Sequence, residues 1–138
     1  MRVLVDTSAW IDFYHPKGDP AVKQHLTRAL GRDDVTIVAP IIAELLAGTR
    51  TDEEGRMLED DLRGLGLLPL GWDEAVTAGR FAQSLNRTGR RMPLVDLLIA
   101  AAARRHGREV WHAGDGHYRV IASVGGPPER DLRRAVPR

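Results

Sequence analysis

Apolar residues recur along the chain with two different periods, and these periods predict strands that alternate with helices. Short apolar runs rich in β-branched residues are typical of buried strands, whereas apolar residues three or four positions apart indicate helices. The predicted strands are residues 3–5, 35–39, 67–70, 109–112 and 121–124. The predicted helices are residues 9–14, 21–30, 40–47, 51–63, 72–85 and 94–105, with a short helical stretch ending at Tyr118.

This alternation predicts an α/β fold: a three-layer sandwich with a mostly parallel central sheet and right-handed crossovers. A chain of 138 residues without repeats or a linker corresponds to one domain. We expect that domain to occupy residues 1–126. Residues 127–138 combine prolines with charged side chains, and we expect them to form a flexible C-terminal tail.

Four acidic residues occupy positions that an ionised side chain usually avoids. Asp6 directly follows the first predicted strand, and Asp115 lies in the turn after the fourth. Glu44 and Asp96 each interrupt an apolar helical run. Taken singly, these acids have structural interpretations: a turn or cap for Asp6, a first-turn acid for Asp96, and a position at the rim of the core for Glu44.

A single explanation accounts for all four acids, namely that they converge in one cleft. Clustered carboxylates repel each other unless a divalent cation neutralises them. An all-oxygen ligand set suits Mg²⁺ or Mn²⁺ rather than zinc, and such sites carry out phosphoryl transfer. The chain has no phosphate-binding GxxxxGK[ST], no GxGxxG and no GxSxG motif that would favour another chemistry.

Composition narrows the setting in which this chemistry would occur. The chain has no cysteine, which excludes disulfides and a thiolate zinc site. It has no apolar run long enough for a membrane span, and its first residues lack the long apolar region of a signal peptide. We therefore expect a soluble cytoplasmic protein with no membrane association.

Four segments, taken in order, resemble the motifs of PIN-domain nucleases. They read VLVDTSAWIDF, IIAELLAGTR, MPLVDLLIAAAARRHG and WHAGDGHY, and they extend from Val3 to about Val124. The chain length and the DTSAW and LVDLLIAAAA segments resemble VapC toxins of type II toxin–antitoxin systems. The resemblance implies a PIN-like fold and a Mg²⁺- or Mn²⁺-dependent endoribonuclease. It also implies a homodimer and inhibition by a VapB-like antitoxin that covers the cleft. The motif acids carry over onto catalytic, metal-binding Asp6, Glu44, Asp96 and Asp115.

The fourth motif departs from the family pattern, which often reads Thr-x-Asp-x-Asp-Phe. Ala113 replaces the threonine, and His117 replaces the second acid. His117 would assist a metal-bound water or contact phosphate, or it would be a surface histidine of the turn. Thr7 and Ser8 would orient Asp6 or serve only as helix caps.

Clustered arginines and aromatics offer further contacts to an RNA substrate. Arg87, Arg90 and Arg91 precede the helix of Asp96, where they would hold the RNA backbone. A second cluster, residues 104, 105 and 108, either does the same or complements the helix dipole. The aromatics at positions 10, 13 and 14 would stack on a base or pack in the core or an interface. Two other functions fit the same sequence: an RNA-maturation nuclease, and a non-catalytic α/β binding module whose acids are structural.

Overall fold

The computed structural model describes residues 1–133, which form a five-stranded sheet with helices between the strands. The strands are β1 (Arg2–Val5), β2 (Asp34–Val38), β3 (Gly66–Leu68), β4 (Glu109–His112) and β5 (Glu129–Asp131). The helices are α1 (Thr7–Tyr14), α2 (Pro20–Arg32), α3 (Ala39–Ala47), α4 (Asp52–Arg63), α5 (Trp72–Asn86), α6 (Leu94–Arg105) and α7 (His117–Ala122). The predicted α/β class is confirmed.

The order of the strands places two of the acids side by side. The sheet has the order β3-β2-β1-β4-β5, and every neighbouring pair is parallel. From β1 the chain proceeds to β2 and β3 on one side, and β4 and β5 lie on the other. The carboxyl ends of β1 and β4 therefore meet where the direction of winding reverses. In open α/β sheets this switch point is the usual position of a ligand crevice.

The core fixes the position of α6, whose first turn carries Asp96. Val3, Leu4 and Val5 of the central strand are fully buried, as expected for a parallel strand covered on both faces. Helix α6 packs against β1 and β4, and its buried face includes Ile99 and the alanines at 100–103. Small side chains let the helix approach the sheet closely. Although α6 is apolar, no helix of residues 1–133 is long and apolar enough to cross a membrane.

One predicted strand is a helix in the structure. Residues 121–124 were expected to extend along the sheet, but Ile121 and Ala122 belong to α7, and Val124 follows in a turn. Ile121 is fully buried on the inner face of this helix. A short apolar run gives no periodicity that separates a strand from one buried helical turn.

The expected flexible tail differs from the structure over residues 127–133. Glu129–Asp131 form β5, which pairs with β4, and Leu132 is fully buried. The charges that suggested a tail have partners here, since Glu129 contacts His112 and Asp131 bonds to Arg133. Residues 134–138 of the predicted tail lie outside the described part of the chain.

Candidate active site

Asp6 lies at the carboxyl end of β1 and is nearly inaccessible to solvent, with 4% of its surface exposed. Its Oδ2 accepts hydrogen bonds from the Ser8 backbone N–H at 3.1 Å and the Ser8 hydroxyl at 2.7 Å. Its Oδ1 accepts a 2.8 Å hydrogen bond from the Tyr118 hydroxyl. Asp6 is therefore the N-cap of α1, as its structural interpretation required, and it also faces the cleft acids.

Thr7 and Ser8 differ in their contacts. The Ser8 hydroxyl bonds to Asp6 and also accepts the Ala113 N–H at 3.0 Å, so it joins the first motif to the fourth. The Thr7 hydroxyl is buried and has no hydrogen-bond partner among residues 1–133. A buried hydroxyl without a partner costs about 1–3 kcal/mol, so this atom marks a place where a water or another ligand atom would be stabilising.

The pKa of Asp96 is strongly raised. It lies in the first turn of α6, and its Oδ2 is 2.8 Å from His117 Nδ1. Desolvation of the carboxyl raises the pKa of Asp96 to about 7, with further increases from the charges of Asp115 and Asp6 and an opposing contribution from the His117 hydrogen bond. Asp96 and Asp115 both contact His117 Nδ1, which places these two acids side by side.

Asp115 lies in the loop after β4, and both its backbone N–H and its carboxylate are hydrogen-bonded. Its N–H donates to His112 Nδ1 at 3.1 Å, and its Oδ1 accepts the His117 N–H at 3.0 Å. The same Oδ1 is 3.1 Å from His117 Nδ1. Gly114 just before it has φ +78°, and its N–H donates to Asp131 in β5. The positive φ favours glycine at this turn.

Glu44 is the most exposed of the four acids. It lies on the open face of α3, yet desolvation of its carboxyl and the charge of Asp6 raise its pKa. Helix α3 follows β2, the strand beside β1, which puts Glu44 on the Asp6 side of the cleft. The structure brings Asp96 and Asp115 together around His117, and Asp6 bonds to the adjacent Tyr118. Asp6 and Glu44 lie outside the group of ligand atoms that are within 4.8 Å of one another.

Three site residues escaped the sequence analysis: His112, Tyr118 and Glu129. Because His112 Nδ1 accepts the Asp115 N–H, the ring proton is on Nε2, which donates to Glu129 Oε2 at 2.5 Å. The Tyr118 ring stacks on His112 with centroids 5.6 Å apart. Desolvation, reinforced by the charge of Asp6, raises the pKa of Tyr118 well above its usual value, so its hydroxyl remains a donor. Only the position of Tyr118 in the fourth motif could have suggested a role.

The two arginine clusters have different environments. Arg87, Arg90 and Arg91 are exposed in the loop that leads into the first turn of α6, close in sequence to Asp96. At the other end of α6, Arg105 pairs with Asp73 at 3.0 Å, and buried Arg108 pairs with Asp34 at 2.9 Å. These contacts give Arg105 and Arg108 partners within the fold. The aromatics of α1 pack on one another, with Trp10 buried in the core.

The donor set fits a divalent cation. Asp96, Asp115 and His117 each offer a ligand atom, and these atoms lie within 4.8 Å of one another. Asp6 adds a third carboxylate whose charge reaches Asp96. Three acids and one imidazole carry more negative charge than the single histidine can neutralise, which is the condition that a bound cation relieves.

Comparisons with known proteins agree with this architecture. The model of the PIN domain family matches residues 3–122. Ribonuclease VapC18 from Mycobacterium tuberculosis is 33% identical over 133 residues, which covers 94% of each chain. The structure of VapBC-1 from nontypeable Haemophilus influenzae matches with a TM-score of 0.75, at 19% identity, over 97% of this chain and 100% of that one. A toxin–antitoxin complex from Klebsiella pneumoniae matches with a TM-score of 0.74, at 19% identity, over 94% and 97%.

A parallel sheet with acids gathered at its switch point and a family match over most of the chain define the class. The chain belongs to the PIN-domain family and, within it, to the VapC ribonucleases.

Proposed function

We propose that this protein is a metal-dependent endoribonuclease and the toxin of a type II toxin–antitoxin system. The observation that carries the proposal is the cluster of Asp6, Asp96 and Asp115 at the switch point, with the pKa of Asp96 raised to about 7. Membership of the VapC ribonucleases supplies the substrate class. Metal ligands must be deprotonated, so a divalent cation would compete with the proton that the raised pKa of Asp96 favours.

Each site residue has a proposed task. Asp6, Glu44, Asp96 and Asp115 would hold the cation. When bound, a divalent cation lowers the pKa of water and offsets the charge of the attacked phosphodiester. Ser8 and Tyr118 keep Asp6 in one rotamer by bonding to its two oxygens. The exposed loop at 87–91 would hold the RNA backbone through its arginines.

The proposed partners, an antitoxin and a second copy of the chain, are inferred from the family to which the chain belongs. A toxin that cleaves cellular RNA requires an inhibitor, and we propose a VapB-like antitoxin that covers the cleft while both proteins are in the cytoplasm. We further propose that the toxin forms a homodimer. Light scattering of the purified toxin, alone and with a candidate VapB-like antitoxin, measures both assemblies.

The decisive experiment compares RNA cleavage by the antitoxin-free protein with that by Asp96→Asn. Total bacterial RNA is incubated with Mg²⁺, Mn²⁺ or EDTA. We expect discrete fragments that require metal, and we expect Asp96→Asn to lose about 100-fold or more of the activity, as when a group that organises transition-state charge is removed. Asp60→Asn, at an exposed acid of α4, is the matched control and should cleave as the wild type does.

Two outcomes would change the assignment. If no RNA is cleaved and Mn²⁺ gives no thermal stabilisation, the protein is a non-catalytic binding module, because a real metal site stabilises the fold by mass action. If RNA is cleaved but expression of the wild type does not arrest growth, the protein is an RNA-maturation nuclease rather than a toxin. In the toxin, Asp6→Ala relieves the arrest.

A further inference from the structure

His117 occupies the position that the family pattern gives to a second acid, and its ring points into the cluster. Its Nδ1 lies between two carboxylates, 2.8 Å from Asp96 Oδ2 and 3.1 Å from Asp115 Oδ1. Nδ1 thus contacts one carboxylate oxygen of each acid. The ring is therefore bound to the cluster and is not a free histidine of a surface turn.

The spacing of these atoms is that of neighbouring ligands on a metal ion. Ligands about 2.1 Å from an octahedral ion lie about 3.0 Å apart when they are adjacent. The two distances from Nδ1, 2.8 and 3.1 Å, bracket this value. Coordination to one cation would bring the three atoms around a common centre, and they already lie within 4.8 Å of one another.

The backbone holds His117 in this orientation. His117 begins α7, and its N–H donates to Asp115 Oδ1 at 3.0 Å. The adjacent Tyr118 is buried and bonds to Asp6. The side chain of His117 remains 43% exposed, which leaves an open side for water or substrate. The imidazole is preorganised without being closed off, as a ligand of a catalytic cation requires.

We propose that His117 is a nitrogen ligand of the divalent cation and makes the site selective for Mn²⁺ over Mg²⁺. The inference rests on the proposed metal-dependent function and adds the identity of one ligand. Mg²⁺ is a hard ion that takes oxygen ligands, whereas imidazole favours first-row transition metals.

The test observes the metal directly and needs no RNA. Mn²⁺ is bound to the full-length protein, and pulsed electron paramagnetic resonance measures nitrogen coupling to the manganese, with ¹⁵N-histidine labelling to identify its source. We expect a coupling that changes with the label, disappears in His117→Asp and persists in His15→Asn, a matched change at an exposed loop histidine.

Calorimetric titration with each metal gives the selectivity. We expect the ratio of the Mg²⁺ to the Mn²⁺ dissociation constant to fall about tenfold in His117→Asp, because the all-oxygen set regains its affinity for Mg²⁺. His15→Asn should leave the ratio unchanged.

The outcomes separate this inference from the proposed function. Absence of nitrogen coupling in the wild type overturns the inference whether or not the variants fold, and metal-dependent RNA cleavage would then still support the nuclease. If His117→Asp folds and the ratio of the Mg²⁺ to the Mn²⁺ dissociation constant is unchanged, the inference is also overturned. Nitrogen coupling in a protein that cleaves no RNA supports the ligand assignment and counts against the nuclease.

Discussion

Single side chains at this site serve the fold and the chemistry together, and Asp6 is the plainest case. Its carboxylate caps α1 by accepting the Ser8 N–H, and it also accepts a hydrogen bond from the Tyr118 hydroxyl at the cleft. The sequence predicted the acids because a carboxylate is conspicuous in an apolar run. It could not predict the Tyr118 bond, because that bond joins residues 112 positions apart. An aromatic residue after a turn is typical of ordinary core packing, whatever its hydroxyl contacts.

Removing the Tyr118 hydroxyl should therefore destabilise the protein. Tyr118→Phe keeps the ring on His112 but takes one donor from buried Asp6, and hydrogen bonds to charged groups contribute about 1.5–3 kcal/mol. We expect the free energy of unfolding in urea to fall by about that amount without metal. Tyr14→Phe is the control, since its hydroxyl bonds to Asp61 at an exposed position, and its loss should be smaller. Equal losses of unfolding free energy in the two variants would contradict a stabilising bond from the Tyr118 hydroxyl to Asp6.

At the scale of elements, the last strand differs most from expectation. β5 has the sequence ERD, which lacks the apolar alternation that predicts strands. Edge strands are often short and charged, because such residues prevent pairing with other chains. The same composition is typical of disordered tails, so a single sequence cannot separate the two. Residues 121–124, predicted as a strand, instead end α7 and enter a turn. Four residues are too few to reveal the period that distinguishes a helix from a strand.

Leu132 provides the measurement that distinguishes a docked strand from a tail. Its side chain is fully buried directly after β5, and its N–H donates to the His112 carbonyl at 2.8 Å. We expect Leu132→Ala to lower the free energy of unfolding by about 2–5 kcal/mol, as truncation of a buried leucine does. Leu67→Ala, at a residue 61% exposed, should change it by less than about 0.5 kcal/mol. A flexible tail would give no loss at Leu132.

For the whole molecule, the sequence predicted the α/β class, because that class follows from strands that alternate with helices. Of the predicted convergence of the acids, the structure shows the approach of Asp96 and Asp115 around His117. The sequence did not predict the strand order β3-β2-β1-β4-β5. That order places β1 beside β4 and thereby allows Ser8 to bond to Ala113, 105 positions away. Contacts of this kind are set by three-dimensional packing, and no local pattern encodes them.

The stability of the metal-free protein should depend on pH through Asp96. Its pKa is about 7 in the folded chain against an ordinary value of 3.8, so between those pH values the folded state binds a proton that the unfolded state has released. Stability therefore falls as pH rises through this window and stays low above it.

Asp96→Asn removes this penalty and supplies the measurement. We expect the variant to match the wild type near pH 4 and to exceed it at pH 8 by about 1–3 kcal/mol, after allowance for solvent screening. Thermal unfolding in EDTA at both pH values measures the difference. An advantage that is the same at pH 4 and pH 8 would show that Asp96 does not titrate in this range.

The contacts of β5 also bear on how durable the cleft is. Glu129 holds His112, and Asp131 holds the Gly114 N–H beside Asp115. Short edge strands are among the segments that open locally at the lowest free energy. Each time β5 frays, the loop of Asp115 loses two of its anchors while the rest of the sheet stays folded. Fraying of β5 alone would thus reduce the population of molecules with an intact site without global unfolding of the protein.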